Sequence, residues 1–542
     1  MDKEKDYILI LGAGLMQLPS IEAAKELGYK ALVIDADPSA VCVHAADRFE
    51  NIDLKDKEKI AELALSLGSS LKAVFTAGTD FSASVAYAAE KASLPGHSYE
   101  ACLNASNKVL MRGCFKKNGV SSPEFTKISR GTIAQFLSDG RLDKMEFPKV
   151  IKPVDNMGAR GCRLIRNKKE FLPSVEEAVR NSKTSCAILE DYMEGPEFSI
   201  DALVYDGTFT ITGFADRHIY FSPYFIELGH TMPSVIDENK KNELIRTFAQ
   251  AVKALGLTRG AAKADIKFTQ NGPMIGEVAA RLSGGYMSGW TYPYASGLNL
   301  TKEAMKLSLG LKADELEKLR QPVNIAGDLP FKIYEVPCVK VSAERAWISI
   351  PGKVESLINV KKTESLPFVK NVLYRSLPGA SVDFPRNNVS KCGNVISLSS
   401  SYKLACQGAE DGAASVLLRL KPCCQETDIF LKGFERPDEE GFPYSAFNIN
   451  DSQKLLLENF ALSAPKLNTS SSVYSIFASE FPEDLMNMVD FNHRTLGESL
   501  KLFDRYGGVH CELDSRDFCN ALIRGGIQGI LYLADSKCNS KK

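Results

Sequence analysis

Lys152 is the residue in this sequence whose chemistry most needs an explanation. It lies in the segment FPKVIKPVDNMGARGC, residues 147–162, where four apolar side chains surround two lysines before the chain enters a glycine-rich loop. A short apolar run of this kind is typical of a buried strand. A lysine in the middle of such a strand is expected to face a negatively charged group. The alternative is a lysine that extends along the apolar surface to reach solvent.

Two carboxylates form the second candidate for chemistry. Residues 263–285, KADIKFTQNGPMIGEVAARLSGG, contain an Asn-Gly pair between two strand-like runs, which is a strong signal for a β-hairpin. If the loop is Gln270-Asn271-Gly272 with the glycine left-handed, Asp265 falls directly opposite Glu277. Two carboxylates so close repel each other unless a cation lies between them, and hard oxygen ligands favour Mg²⁺. The alternative is a pair of solvated acids on an edge hairpin, and the nearby Arg281 favours the metal site.

A third segment, ILEDYMEGPEFSID at residues 188–201, connects two predicted strands. It contains a Gly-Pro turn just before Glu197, and its first residues carry no helix signal. On these residues alone it is a connecting loop. Its interest comes from its position in the chain, between the Lys152 strand and the carboxylate hairpin.

The elements that precede these candidates alternate between strands and helices. Helical patterns separate three apolar runs that are typical of buried parallel strands: YILILGAG, KALVIDADP and KAVFTAG, at residues 7–14, 30–38 and 72–78. A further helix is expected to begin near Thr79 and Asp80, either of which could cap its N-terminus. This alternation predicts one small doubly wound domain with a parallel sheet over residues 1–105.

The first strand ends in Gly12-Ala13-Gly14, and Asp35 ends the next strand. This arrangement is similar to a dinucleotide-binding turn, but the third glycine is missing, so the signal for NAD is weak. A dehydrogenase that uses this turn is therefore kept as an alternative. The other interpretation is a tight strand-to-helix turn whose helix N-terminus suits an anionic group.

From residue 106 the pattern changes to an α+β arrangement with antiparallel pairing. A helix is predicted at KVLMRGCFKKNG, and strands are predicted around the Lys152 segment and the carboxylate hairpin. After about residue 325 further strands and a helix at 401–420 form a third unit. Residues 421–542 are the least periodic and carry no motif. The fold class predicted is therefore a multidomain α/β and α+β protein.

Composition limits the classes of function. The 542 residues carry 66 lysines and arginines against 67 aspartates and glutamates, so no general cationic field for nucleic acid is expected. Thirteen cysteines occur without a CxxC pair or a Cys/His cluster, which predicts reduced thiols. The N-terminal apolar run is too short for a signal peptide, and no run approaches a membrane span. We therefore expect a cytoplasmic protein that contacts neither membrane nor nucleic acid.

Taken together, these motifs resemble the ATP-grasp superfamily over roughly residues 5–420. The resemblance implies a Rossmann-like preATP-grasp domain, an ATP-grasp domain with a flap, and a C-terminal lid domain similar to the biotin-carboxylase branch. It also implies an accessory segment of unknown role. The ranges expected are 1–105, 106–325 with the flap at about 120–195, 326–420 and 421–542.

The resemblance also implies which residues bind ATP and metal. Lysine side chains and the glycine loop are expected to contact the phosphates. Within LEDYMEGPE, residues 189–197, Glu190 and the backbone after it are expected to hold the adenine, and Glu197 the ribose. The residues so assigned to ATP are Lys108, Lys152, Gly158, Arg160, Gly161, Glu190, Asp191, Tyr192, Met193 and Glu197. The residues assigned to Mg²⁺, for which Mn²⁺ is an acceptable substitute, are Asp265 and Glu277. In this assignment the group that Lys152 faces is a phosphate.

Members of this family activate a carboxylate as an acyl phosphate for attack by an amine. The resemblance therefore implies an ADP-forming carboxylate–amine ligase acting on small molecules, with an amino acid as the expected substrate. Arg281 is expected to take part in catalysis. Within ADRHIYFSPYFIELGHTMPS, residues 215–234, Glu227 and His230 are expected near the substrate, the alternative being a structural loop.

Two positions depart from the family pattern. Ala279 replaces an asparagine that often serves as a further metal or phosphate ligand, and Ala159 replaces a flap serine. A second Mg²⁺ is then held less firmly. Two alternatives follow: a bicarbonate-using carboxylase-like enzyme, and a regulator that binds ATP without turnover. Assembly as a homodimer is left open.

Overall fold

The structure is a computed structural model that describes residues 6–433, 445–507 and 512–539. The described chain forms two compact units. The first unit takes its residues from Met1–His218, His230–Ala343 and Ser399–Tyr402, and the second from Ile219–Gly229, Glu344–Leu398 and Lys403–Lys542. The predicted domain boundaries at 105, 325 and 420 stay predictions.

The first unit begins with a four-stranded parallel sheet of order β3-β2-β1-β4. Its strands are β1 (Tyr7–Leu11), β2 (Lys30–Asp35), β3 (Arg48–Asn51) and β4 (Leu71–Phe75), and its helices are α1 (Leu18–Glu26), α2 (Lys57–Leu67) and α3 (Ser82–Lys91). Side chains of β1 alternate between two cores, with Ile8 and Ile10 in one and Leu9 and Leu11 in the other. The predicted doubly wound sheet is confirmed, because both of its faces are buried.

A later segment of the chain completes one of these two cores. Met305 and Leu307 of helix α10 (Leu300–Ser308) belong to the same buried cluster as Ile8 and Ile10. Because side chains from residues 298–316 cover one face of the first sheet, that sheet does not bury its surface with residues 1–105 alone.

The predicted start of α3 was wrong. The helix begins at Ser82, Phe81 is the N-cap residue, and no side chain caps the helix. Thr79 instead hydrogen-bonds to the hydroxyl of Thr76 at 2.7 Å. Asp80 accepts hydrogen bonds from the distant Arg281. Both candidate caps are engaged by residues outside the helix.

Two sheets with antiparallel pairing follow in the first unit, as predicted for an α+β arrangement, and the one parallel pair among their described strands is β10 with β15. One has the order β5-β8-β6-β7 and the other contains β13-β12-β9-β10, with β15 beside β10 and β14 beside β15. The strands from this part of the chain are β5 (Phe125–Ser129), β6 (Lys149–Pro153), β7 (Arg163–Ile165), β8 (Cys186–Asp191), β9 (Glu197–Tyr205), β10 (Thr208–Tyr220), β11 (Ile226–Met232), β12 (Gly260–Thr269), β13 (Gly272–Ala279), β14 (Gln321–Pro322) and β15 (Lys332–Glu335). The accompanying helices are α4 (Tyr99–Ser106), α5 (Lys108–Asn118), α6 (Ile133–Ser138), α7 (Phe171–Asn181), α8 (Glu238–Leu255), α9 (Tyr292–Ser296) and α11 (Asp314–Leu319). The mixed α/β and α+β fold class is confirmed.

The second unit has one hydrophobic core. Trp347 and Phe384 lie in the same buried cluster as Phe430, Phe477 and Phe518. The strands here are β16 (Val341–Trp347), β17 (Gly352–Ile358), β18 (Val369–Tyr374), β19 (Ser381–Val382), β20 (Gly393–Ser399), β21 (Leu417–Leu420), β22 (Lys466–Asn468) and β23 (Glu512–Asp514). The helices are α12 (Val360–Glu364), α13 (Tyr402–Ser415), α14 (Gln425–Lys432), α15 (Asp451–Ser463), α16 (Val473–Glu480), α17 (Glu483–Met486), α18 (Leu496–Tyr506) and α19 (Ser515–Asn539), which has a kink at Gly526. The described residues after 421, for which no motif was found, are mainly helical.

The helix predicted over 401–420 is shorter than expected. Helix α13 ends at Ser415, and the apolar residues Leu417–Leu420 form β21, which pairs with β17. An apolar run buried among other strands has no periodicity that separates it from the end of a buried helix.

Candidate active site

The N-terminus of α5 positions the first predicted phosphate ligand. Asn107 caps the helix by accepting hydrogen bonds from the amides of Val109 and Leu110 at 3.0 and 3.3 Å. Lys108 follows in the first turn and is 5% exposed. Its Nζ lies 3.1 Å from Glu277 Oε1 and donates to the carbonyl oxygen of Asn156 at 3.1 Å. The cap therefore fixes a buried ammonium group against β13 and against the start of the glycine loop.

The predicted pairing of the two carboxylates is confirmed, but the predicted three-residue loop is wrong: Thr269 pairs with Gly272 across a two-residue turn, and a bulge between Asp265 and Ile266 restores the pairing. Asp265 of β12 pairs directly with Glu277 of β13, and Gly272 in the turn has φ of +88°. Asp265 lies 2.9 Å from Arg217 Nη1 and also pairs with Lys263. Each carboxylate thus faces at least one cationic side chain.

Both charges of the Lys108–Glu277 pair are favoured by the pairing. Burial opposes ionisation of Glu277, but the ammonium groups of Lys108 and Lys263 outweigh burial and lower its pKa to about 2. Burial also opposes the charge on Lys108, yet the Glu277 carboxylate and other nearby acidic groups raise its pKa overall. At neutral pH the hairpin therefore presents an ionised carboxylate.

The donor set fits a hard divalent cation. Asp265 and Glu277 supply carboxylate oxygens from directly paired positions, as Mg²⁺ prefers. In the described ranges, no three side chains of the types His, Cys, Asp and Glu converge on one point. An ion at this hairpin would complete its coordination with water and with ligand oxygens, which is the usual arrangement for Mg²⁺ beside phosphates.

Lys152 faces a buried carboxylate. Its Nζ lies 2.5 Å from Glu190 Oε2, because Glu190 of β8 pairs with Val150, two residues before Lys152 on the same face of β6. Glu190 is 1% exposed, and Arg112 Nε donates to its other oxygen at 2.8 Å. Burial raises the pKa of Glu190, but Arg112 and Lys152 together lower it below its usual value. The prediction that Lys152 faces a negatively charged group is confirmed, and in the structure this group is the Glu190 carboxylate.

Arg112 was not predicted as a site residue. It is fully buried, and its Nη2 donates to the carbonyl oxygen of Gly276 at 2.6 Å. It therefore joins α5 to both β8 and β13. The spacing in the sequence could have indicated Arg112 as a site residue. It follows Lys108 by four residues and therefore lies on the same face of the helix.

The segment expected to hold the adenine begins with Asp191, which is exposed and pairs with Lys149 directly across β6 and β8. The ring of Tyr192 lies 5.1 Å from the Nζ of Lys267, and that ammonium donates to the carbonyl oxygen of Met193 at 3.1 Å. Lys267 thus holds the backbone of this segment against β12.

Glu197, expected at the ribose, lies at the start of β9. It pairs with Arg217 and lies 3.5 Å from Lys267 Nζ. Arg217 contacts both Glu197 and Asp265, so it links the expected ribose acid to the hairpin. Sequence reasoning missed Arg217 and Lys267, although Lys267 follows Asp265 by two residues on β12 and Arg217 lies within the segment 215–234.

The glycine loop is a tight turn. Gly158, Ala159 and Gly161 have φ of +67°, +57° and +68°. A Cβ at Gly161 would lie 3.0 Å from the Cβ of Asn181, so both backbone conformation and space favour glycine there. In the described chain no hydrogen bond or ion pair of the Arg160 guanidinium is found. This leaves Arg160 able to contact an anion above the turn.

Arg281 is held by the first sheet. Its Nε and Nη2 donate to Asp80 Oδ1 at 2.8 and 2.5 Å, and its Nη1 donates to the carbonyl oxygen of Leu282 at 2.9 Å. Burial disfavours its charge, but Asp80 and other nearby acids raise its pKa. Ala77 and Leu282 form a parallel bridge, and the amide of Gly78 donates to Leu282 O at 3.3 Å. The end of β4 thus holds the segment that carries Arg281.

The two residues predicted near the substrate both lie on β11. His230 is completely buried on β11 in the first unit. Glu227 belongs to the second unit, where its amide donates to Asn388 Oδ1 at 2.8 Å and its carbonyl oxygen accepts from Lys391 at 2.9 Å. Their roles stay predictions.

The turn at Gly12 is filled by the chain's own groups. Asp35 Oδ2 accepts from the amide of Ala13 at 2.7 Å, and Oδ1 accepts from the amide of Asp37 at 3.0 Å. The buried Gln17 side chain lies against Gly12, and its Oε1 accepts from the amide of Ala77 at 3.0 Å. Because Asp35 and Gln17 stabilise the turn, they argue against a dinucleotide at this place.

Residues 145–289 match the family model of the ATP-grasp domain. These residues therefore carry an ATP-grasp domain, as the resemblance implied. The chain is similar to the alanine–anticapsin ligase of Bacillus subtilis strain 168, with 24% identity over 295 residues, 50% of this chain and 61% of the relative. It is also similar to carnosine synthase 1 of Gallus gallus, with 22% identity over 329 residues, 57% of this chain and 35% of the relative. The chain thus spans less than two thirds of the length of either relative.

The fold is similar to the crystal structure of the L-amino acid ligase from Bacillus licheniformis. The TM-score is 0.64 at 22% identity, and the match covers 77% of this chain and all of the other. At this identity the likeness shows the fold. In the ranges that the structure describes, no helix has the length and apolarity needed to cross a membrane.

Proposed function

We propose that this chain is an ATP-dependent ligase that joins a small carboxylic acid to an amine, with an amino acid as one substrate. The observation that carries the proposal is the pairing of Lys108 with Glu277 and of Lys152 with Glu190 around one hairpin. A buried and a partly buried ammonium group next to two carboxylates can hold a nucleoside triphosphate and its metal together. The similarity to proteins named as ligases of amino acids supports the choice of substrate class.

ATP is proposed to bind with its phosphates against Lys108 and Lys152. Each ammonium is already held by a carboxylate, so its position is set before the nucleotide arrives. The left-handed turn at Gly158–Gly161 supplies backbone N–H groups, and Arg160 supplies a guanidinium. The segment from Glu190 to Met193 is assigned to the adenine and Glu197 to the ribose.

Asp265 and Glu277 are proposed to hold Mg²⁺, for which Mn²⁺ could substitute. A divalent ion there neutralises charge on the transferring phosphoryl group. The ionised state of Glu277, whose pKa is lowered to about 2, keeps the ligand ready at neutral pH.

The proposed reaction has two steps. A substrate carboxylate oxygen attacks the γ-phosphorus of ATP, which forms an acyl phosphate and releases ADP. The amine then attacks the acyl carbon, the C–O bond to phosphate breaks, and inorganic phosphate leaves. Arg281 is assigned to the carboxylate or to the charge of the acyl phosphate, and the proton lost by the amine is assigned to His230 as base. Glu227 is kept as a substrate contact.

One observation favours a second candidate, a regulator that binds ATP without turnover. Ala279, which pairs with Lys263 at the end of β13, carries no ligand atom where the family often has asparagine. The third candidate is a carboxylase-like enzyme that uses bicarbonate, because a biotin carboxylase domain shares the fold. The cytoplasmic location, a homodimeric assembly and the absence of nucleic-acid partners belong to the proposal as well.

The deciding experiment measures ADP and phosphate release from ATP·Mg²⁺ with a panel of amino acids, alone and in pairs, and with bicarbonate. Glu277→Gln is the inactive variant, and Glu194→Gln, an exposed acid beside the expected adenine segment, is the matched control. We expect release that requires a particular amino acid, persists in Glu194→Gln and disappears in Glu277→Gln.

Tight ATP binding without release under every addition would favour the regulator. Release that requires bicarbonate alone would favour the carboxylase. Release that is unchanged in Glu277→Gln would overturn the site assignment.

A further inference from the structure

The second unit contains a large cavity made of its own residues. Its volume is about 620 Å³, within the range of small-molecule sites. Six charged side chains are among those that line it: Arg375, Asp383, Arg386, Lys391, Glu426 and Arg524. The cations outnumber the carboxylates by two, although the whole chain has a net charge of −1. Positive charge is therefore concentrated in this cavity.

Three of the four cations are less exposed than the two carboxylates, and the fourth, Arg375, is exposed. Both carboxylates, Asp383 and Glu426, are exposed at the surface. Lys391 is 5% exposed, and Arg386 and Arg524 are half-buried. The inner wall is thus cationic while the acids lie at the outer edge, an arrangement that favours an anion inside.

Hydrogen bonds fix the backbone of Arg375 and the ammonium group of Lys391 on the strand side. The amides of Arg375 and Ser376 both donate to the carbonyl oxygen of Cys392 at 3.0 Å, so Arg375 lies beside the segment that carries Lys391. The Nζ of Lys391 donates to the carbonyl oxygen of Glu227 at 2.9 Å and lies 3.9 Å from its carboxylate. An ammonium group has three N–H donors. Held in this way, it keeps its orientation and can donate a further hydrogen bond to a ligand.

The helical side of the cavity is also rigid. Arg524 Nε donates to the carbonyl oxygen of Phe430 at 2.6 Å, and its guanidinium lies 5.3 Å from the centre of the Phe430 ring. Phe430 belongs to the core of the unit. Val382 and Ile429 add apolar surface to the lining. Fixed cations beside apolar surface suit a ligand with anionic groups on a carbon framework.

We propose that this cavity binds a small metabolite with two or more anionic oxygen groups, either carboxylates or phosphates. Guanidinium and ammonium groups form charge-assisted hydrogen bonds with such oxyanions. Four cationic side chains along the lining can contact more than one such group on the same ligand. The site is built from residues of the second unit and uses none of the residues assigned to ATP.

The test measures binding of pyrophosphate and of citrate to the full chain by isothermal titration calorimetry at constant ionic strength. Arg375→Gln is the site variant, because Arg375 is exposed and its guanidinium makes no hydrogen bond or ion pair to another described residue. Lys421→Gln is the matched control: it is exposed, lies in the same unit, loses the same charge and does not line the cavity. Lys152→Ala reports on binding at the ATP site instead.

We expect at least one probe to bind, with affinity reduced about ten-fold in Arg375→Gln and unchanged in Lys421→Gln and Lys152→Ala. Binding of pyrophosphate alone would identify phosphates as the recognised groups, and binding of citrate alone would identify carboxylates. The proposal is wrong if neither probe binds, if the two charge variants lose affinity equally, or if Lys152→Ala is the variant that abolishes binding.

Discussion

Replacing Arg112 with methionine is expected to destabilise the joint between α5 and the two strands that it contacts. The change leaves Glu190 buried with Lys152 as its remaining described cation and removes a donor from the Gly276 carbonyl. Removal of one partner from a buried ion pair costs about 3–5 kcal/mol, and the lost carbonyl hydrogen bond adds about 1 kcal/mol. Lys152 is 16% exposed and 2.5 Å from Glu190, so it offsets part of this cost. We expect a loss of about 3–4 kcal/mol.

The assay is hydrogen exchange read by mass spectrometry on peptides that cover α5 and β8, since a chain of two units need not unfold in one step. Lys116→Met is the matched control. It removes a cation from the same helix, but the Lys116–Glu124 pair is exposed, with side chains 69% and 73% accessible. An exposed pair contributes no more than about 1 kcal/mol.

A double variant separates the ion pair from packing. In Arg112→Met/Glu190→Gln the buried charge is gone along with its partner, so the combined loss should be smaller than the sum of the single losses by about 2 kcal/mol or more. Equal protection in Arg112→Met and Lys116→Met would refute the reasoning, as would strict additivity in the double variant.

Three further outcomes are expected. Burial raises the pKa of Asp201 from 3.8 to about 6, so ionisation of Asp201 opposes folding as the pH rises between these values. Asp201→Asn should therefore raise the free energy of unfolding by about 3 kcal/mol at pH 7.5 and change it little at pH 3.5. Urea denaturation at both pH values measures this difference. Lys152→Ala should weaken ATP·Mg²⁺ binding about ten-fold or more in calorimetry, whereas unchanged affinity would count against its phosphate role. Asp80→Asn should raise KM for the carboxylate substrate while leaving ATP affinity near the wild-type value, because Asp80 holds Arg281; a change confined to ATP affinity would contradict this.

Local patterns in the sequence were enough to predict part of this site. The Asn-Gly pair predicted the hairpin, whereas the pairing of Asp265 with Glu277 also depends on a bulge that the sequence pattern did not indicate. The apolar run around Lys152 predicted a strand because a short apolar run is typical of a buried strand, and β6 lies there.

Long-range contacts were beyond such patterns. Arg112 meets Glu190 across 78 positions of sequence, and Asp80 meets Arg281 across 201. Asp80 has the residue type of a helix cap, and the tertiary ion pair overrides that local preference. The helices after residue 421 were missed because their burial depends on a core shared with strands earlier in the chain.

The junction between Ala77–Asp80 and Arg281–Gly284 bears on how this chain can be recombined. A Cβ on Gly78 would lie 3.4 Å from the Cα of Gly284, so the two segments touch through their backbones as well as through Asp80 and Arg281. A chimera that exchanges the first 105 residues for those of another family member would cut across this junction. The two segments should be inherited as a pair, and grafts that carry both from one parent should retain activity where grafts of either alone do not.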